Sequence, residues 1–224
     1  MSWLFGGPGV TVRVWVPRDF SIDARSNSGP IRIEDVVGDI RVRTTEGAIE
    51  LRAVGGELEL HSETGAVTVN EARGSLSVRV SSADVELSWI EGETRVRSGG
   101  GNVSARHVEG PLEVRTDSGE ITVRDLRGPA DVKTESGAIY AVFAGTPEGR
   151  LETHRGSVEV ALPGHAGLAL DARTRRGTVQ ILEGLSTNSE RGEHPPDHYA
   201  GSINGGGPAL VIYTARGNIR VGRR

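Results

Sequence analysis

A glycine every nine residues constrains this chain more than any other feature of its sequence. Glycines stand at 29, 38, 47, 56, 65 and 74, then at 92, 101, 110, 119, 128 and 137, and Ala83 fills the one gap. Two and four places after these positions come apolar residues: Ile31 and Ile33, Ile40 and Val42, Ile49 and Leu51, Leu58 and Leu60, Val67 and Val69, Leu76 and Val78. Alternation at period two predicts strand. Successive nonapeptides differ, however. In one, a further apolar residue lies seven after the glycine (Val36, Val54, Ala72, Ile90, Val108, Leu126). In the other, a hydroxyl lies three before the next glycine (Thr44, Ser62, Ser98, Thr116, Thr134), with Val80 as the exception. The repeat unit is therefore 18 residues carrying two strands, each roughly 16 Å long at ~3.3 Å per residue.

Burial then dictates the architecture. One such strand has a single apolar face that it cannot cover alone, whereas two facing strands repeated coil upon coil share a continuous core. The expected fold class is all-β: a single domain over 1–224 forming a parallel β-solenoid (β-helix) of 18-residue coils, two strands per coil, about ten coils. A narrow interior takes small aliphatics, which agrees with only 3 Trp, 3 Tyr and 3 Phe. The corner glycine is required for a positive φ or because no Cβ fits. The buried hydroxyls are expected to stack as an internal ladder, each bonding the backbone of a neighbouring coil.

Residues 1–28 are expected to be an N-terminal cap, in which Val10, Val12, Val14 and Val16 alternate up to Pro17, and Ile22 and Ala24 open a half-coil. Residues 29–182 form the regular coils. The longer glycine steps, 19 from Gly137 to Gly156 and 21 from Gly156 to Gly177, predict small insertions at corners. Residues 183–207, with Pro195, Pro196 and Gly205 to Gly207, predict a long loop. Residues 208–224 supply closing strands, and Arg220, Arg223 and Arg224 discourage addition of a further strand.

The recurring [ST]xxGxIxVxxVxGxLxV unit, with the ending Gly201-Ser202-Ile203-Asn204-Gly205-Gly206-Gly207-Pro208 before Thr214 to Val221, resembles the toastrack domains, a bacterial adhesin-type family of β-solenoids. The resemblance runs from about Val10 to Val221. It implies a right-handed parallel solenoid without catalytic residues, of a kind often joined to membrane segments or envelope-stress sensing modules.

Composition removes several functions. Lys+Arg 26 against Asp+Glu 30 leaves a net charge of −4, so a dedicated nucleic-acid binder, which needs a basic excess to neutralise phosphates, is not expected. With Cys 0 there is no disulfide framework, no thiolate nucleophile and no Cys-ligated zinc or iron–sulfur site. The start, Met1 to Pro8, lacks a signal peptide's basic and apolar regions, and no run reaches the ~18 apolar residues of a membrane span. The chain as given is thus expected in the cytoplasm, with envelope association the alternative for part of a longer chain. No GxSxG elbow, Walker loop, HExxH or Rossmann fingerprint occurs. The corner sequences TTEG, SETG, TDSG and TESG do not supply the aspartates of calcium-binding nonapeptide repeats. No catalytic residue, metal site or cofactor is expected.

One surface feature is sharply defined. Arg43, His61, Arg79, Arg97, Arg115 and Lys133 each lie five after a glycine of the second half-unit, and the same count from Gly149 adds His154. Such a column projects from one sheet at ~4.8 Å per coil, and its summed field suits an anionic glycan, an envelope surface or an acidic protein partner. The competing reading is a solvated face neutralised by Glu59, Glu113 and Asp131 two residues earlier and by Glu63, Asp117 and Glu135 at the corner. Glu193, His194, Asp197 and His198 are metal-capable, but in a Pro-containing loop they read as polar surface. His107 falls at a predicted corner and His165 at a bulge. Two rival functions are an end-to-end polymer like the bactofilin solenoids and a glycan-cleaving enzyme using Asp197, Glu190 and Glu193.

Overall fold

The structure, a computed structural model, describes residues 12–182, 184–189 and 195–224. Val10, Glu190, Glu193 and His194 lie outside the described residues. Among the described residues all regular structure is strand. In chain order the strands are β1 (Ile22–Ser26), β2 (Ile31–Glu34), β3 (Ile40–Thr44), β4 (Ile49–Ser62), β5 (Val67–Val80), β6 (Val85–Glu91) and β7 (Thr94–Ser98). Then come β8 (Val103–Glu109), β9 (Leu112–Ser118), β10 (Ile121–Arg127), β11 (Ala130–Ser136), β12 (Ile139–Phe143), β13 (Gly149–Arg155) and β14 (Val158–Leu162). The last six are β15 (Leu168–Thr174), β16 (Val179–Ile181), β17 (Thr187–Ser189), β18 (His198–Ile203), β19 (Ala209–Arg216) and β20 (Ile219–Arg223).

The strands form two parallel ladders facing each other across the core, and the long strands β4 and β5 bend through a corner to belong to both. Every register step is one 18-residue unit through the regular region. Ile31 pairs with Ile49, Ile49 with Val67, Val67 with Val85, Val85 with Val103 and Val103 with Ile121, so the expected vertical column is present. Ile49, Val67 and Ile121 have no solvent exposure, while Ile31 on the end coil is partly exposed. The interior is almost wholly aliphatic; Phe143 is the largest fully buried side chain.

The corner glycines answer to both expected causes. Gly110 has φ +123. At Gly65 a Cβ would stand 1.9 Å from the carbonyl oxygen of Gly47, so the coils stack closer than any side chain permits. The hydroxyl column is buried, but its bonds differ from expectation. Ser62 donates to Gly65 O at 2.7 Å and Thr116 to Ser118 O at 2.8 Å, both within their own corner, whereas Thr153 and Thr214 donate to the preceding coil's Gly137 O and Gly156 O, each at 2.9 Å.

Four expectations are corrected. Eight turns, β1 through β14, stack in chain order, rather than ten. The 21-residue glycine step is not a corner bulge: the chain skips a level between β14 and β15, and the C-terminal strands later fill it. β19 pairs in parallel with both β13 and β15, and β20 with both β14 and β16. The last segment of sequence is thus the second-last level of the stack. The stretch 183–207 is likewise not a plain loop, because β18 lies antiparallel on the outer edge of β15 and β17 antiparallel on β18. At the other end, residues 12–17 form no strand, and Val12, Val14 and Trp15 are exposed.

The Gly-rich ending makes the inserted level possible. Moving from β18 to β19 takes the chain from one side of β15 to the other, across its first residues. There Gly167 and Gly207 pack backbone to backbone; a Cβ on Gly207 would meet Gly167 O at 2.3 Å. Asn204, at φ +50, donates its side-chain amide to Gly164 O at 3.2 Å and Ala166 O at 3.0 Å, fastening the skipped connection to the turn.

Candidate functional site

The strand register puts six of the seven expected residues in one column. Arg43 is opposite His61, His61 opposite Arg79, Arg79 opposite Arg97, Arg97 opposite Arg115, and Arg115 opposite Lys133. His154 does not join it. The extra residues at 144–147 shift the count, Gly149 takes the level of Ala130, and Glu152 stands opposite Lys133. Thr153 occupies the buried hydroxyl position, which leaves His154 exposed at the corner.

Acidic residues of the adjacent column neutralise much of this ladder. Glu59 accepts from Arg79 at 3.1 Å and lies 3.8 Å from Arg41. Glu113 gathers Arg95 at 2.8 Å, Arg115 at 3.1 Å and Arg97 at 3.9 Å. Lys133 lies 3.4 Å from Glu152. The hydrogen bond from Arg95, then the charge of Arg115, hold the Glu113 carboxyl below its ordinary value against the opposing effect of burial. Arg43 and His61 have no ion-pair partner among the described residues. Exposed pairs of this kind contribute about 0–1 kcal/mol each.

A second surface runs along the other corner. One residue per coil there adopts the left-handed conformation without being glycine: Asp35, Ala53, Glu71, Trp89, His107 and Asp125, with φ between 51° and 60°. Asp tolerates this region, but a bulky residue in it is an outlier. Trp89 is 57% exposed, and its indole stacks on the His107 imidazole with centroids 4.0 Å apart and planes 15° apart. His107 Nδ1 lies 3.5 Å from Asp125, which also pairs with Arg224, the residue after β20. Toward the N-terminal coils the column falls away at Ala53 and Gly55, leaving a groove of about 670 Å³ walled by Trp89, Glu71, Arg73 and Arg18. The sequence carried a signal for it: a tryptophan at an outward corner position, 18 residues from Glu71 and from His107.

His198 belongs to β18 and bonds Asp171 at 3.1 Å, a cross-strand contact in place of a metal ligand. Asp197 is exposed, and no cluster of metal-capable residues occurs among the described residues.

The family model described as Toastrack DUF4097 matches residues 3–127 and 92–222. The chain belongs to the Toastrack family. Two overlapping matches on one chain fit a Toastrack repeat that is self-similar at 18 residues, because the family pattern can be laid on either half of the stack. No curated protein and no solved structure matches this Toastrack domain. No helix long and apolar enough to cross a membrane occurs among the described residues.

Proposed function

We propose that this Toastrack domain is a non-catalytic scaffold and binding module of the adhesin type, a stiff rod that presents its outward columns to an extended partner such as an anionic glycan, an envelope surface or an acidic protein. Its solenoid is right-handed in this reading, the hand that parallel crossovers adopt. One observation carries it: the interior is a continuous aliphatic column flanked by one ladder of buried Ser and Thr, so ionisable side chains are left to the outside, repeating at one coil's spacing. At ~4.8 Å per level, the eight turns stacked in chain order alone span about 38 Å, matched to a polymer more than to a small molecule. Arg79, Arg97, Arg115 and Lys133 of the ladder stand in exposed surface pairs while Arg43 and His61 have no ion-pair partner among the described residues, an arrangement suited to reversible electrostatic contact.

End-to-end polymerisation is disfavoured by the antiparallel β17 and β18, which close the outer edge of β15. Replacing Arg79, Arg97 and Arg115 together by Ser tests the ladder. Binding of heparin and of phosphatidylglycerol liposomes is expected to weaken on the order of tenfold, with a shallower salt dependence. Unchanged binding would remove the ladder as the contact surface.

A further inference from the structure

We infer that the groove beside Trp89 is a saccharide site whose ligand is a neutral, β-linked, gluco-configured oligosaccharide, with one pyranose ring lying on the indole. Stability does not explain Trp89. Its left-handed corner is filled elsewhere by Asp, Glu, Ala and His, its ring is more than half exposed, and a bulky side chain there strains the backbone. The exposed face is nonetheless held still. His107 stacks on the opposite face at 4.0 Å, and Asp125 stands 3.5 Å behind that imidazole. Fixing the ring beforehand removes the ordering cost a free side chain would incur on binding.

The rest of the groove fits the same occupant. Beside Trp89 the groove is lined by the methyl of Ala53, the buried backbone of Gly55 and the exposed side chain of Val37, all small groups. Gly55 is small without steric need: a Cβ there would meet nothing nearer than Arg73 O at 3.5 Å, and its φ is not one that excludes side chains. The neighbouring coil carries Arg73 at the same level, so the opening is a choice of residue and not a demand of the fold. At the rim, Arg73 and Glu91 pair at 3.1 Å, which cancels their charge yet leaves donors and acceptors for hydroxyl groups. Glu71 and Arg18, on opposing walls, have no ion-pair partner among the described residues and balance each other. A compensated rim favours a neutral ligand, and an equatorially substituted pyranose presents a face of axial C–H bonds to an aromatic platform. Trp89 and the smaller Val37 are the exposed apolar side chains of the groove, fewer than the clustered aromatic anchors of a protein hot spot.

This inference does not rest on the arginine ladder, and its test separates the two. The probes are cellotetraose and chitotetraose, titrated into the full chain while the indole NMR signal of Trp89, assigned with Trp89→Ala, and the intrinsic fluorescence are followed. At least one tetrasaccharide is expected to shift that signal saturably. Trp89→Ala, read by calorimetry, and Gly55→Gln, which fills the floor without strain, are each expected to weaken binding on the order of tenfold or more. The Arg79, Arg97 and Arg115 triple variant is expected to bind the tetrasaccharide unchanged. The inference is overturned if neither sugar moves the Trp89 signal at millimolar concentration, if folded Gly55→Gln binds like the wild type, or if Trp89→Ala instead abolishes self-association of the chain, which would make the groove a protein contact.

Discussion

Residues 22–162 and residues 163–224 are built from the same strand pattern, yet they assemble by different rules. In the first stretch each coil lies on its predecessor at an 18-residue step, lengthened only where extra residues enter at 144–147. In the second the chain leaves a gap, forms the terminal level with β15 and β16, folds β17 and β18 back on the edge, and then threads β19 and β20 into the gap. The contrast teaches that a repeat sets what each level contains, while the connections decide the order of levels.

Core truncations expose the contrast most strongly. Ile121 in the regular stack and Ile219 in the inserted level are both fully buried, so Ile219→Ala and Ile121→Ala are each expected to cost about 2–5 kcal/mol in denaturant unfolding. Val179, on the true terminal level and partly exposed, is expected to cost about 1 kcal/mol when cut to Ala. A cheap Ile219→Ala with an expensive Val179→Ala would restore chain-order stacking.

Glycine substitutions sharpen the difference between tight stack and free turn. An Ala Cβ at Gly137 would sit 1.8 Å from Gly119 O, against the backbone of the preceding coil, and is expected to cost about 3 kcal/mol or more. Gly205 has open space but φ +88, so Gly205→Ala is expected to cost about 1 kcal/mol. Thermal unfolding of the two variants compares them directly.

The hydroxyl column offers opposite signs in the two regions. Thr134 in the stack is buried with no hydrogen-bond partner, and Thr134→Val is expected to gain about 1 kcal/mol. Thr214 in the inserted level bonds Gly156 O, and Thr214→Val is expected to lose about 1 kcal/mol by the same chemical denaturation.

The smallest effect is electrostatic. The folded carboxyl of Glu113 titrates below its ordinary value of 4.5, so its stabilisation is fully present above that pH and fades as pH falls through the lower folded value. Glu113→Gln is expected to flatten this acid-side slope by about 1 kcal/mol or less, measured as unfolding free energy against pH. An unchanged slope would mean the three arginines contribute nothing there.

Most of the regular stack was legible because burial repeats with the sequence. Ile49, Val67 and Ile121 had to share a column once the period was known. The inserted level was not legible, because residues 209–223 carry the same alternation wherever they stack, and only contacts such as Gly167 against Gly207 reveal the crossing. His154 was misplaced for a related reason: counting from Gly149 assumed a corner glycine where the chain has a strand residue level with Ala130. The basic ladder was legible in full up to Lys133. The Trp89 groove was signalled only by an outward tryptophan in the repeat position of Glu71 and His107, since its shape depends on the left-handed backbone and on the absence of a side chain at Gly55, neither of which shows in the alternation of apolar residues.

Because the chain has Cys 0, paired cysteines can read the order of levels without interference. Tyr213 stands opposite Glu152 on one side and Arg173 on the other. Tyr213→Cys combined with Glu152→Cys, and Tyr213→Cys combined with Arg173→Cys, are expected to form disulfides on mild oxidation, seen as a 2 Da loss by mass spectrometry, a roughly one-level separation being within disulfide reach. Glu152→Cys with Arg173→Cys, two levels apart at ~9.6 Å, is expected to stay reduced. Efficient closure of that last pair, with failure of the Tyr213→Cys and Glu152→Cys pair, would contradict the inserted level.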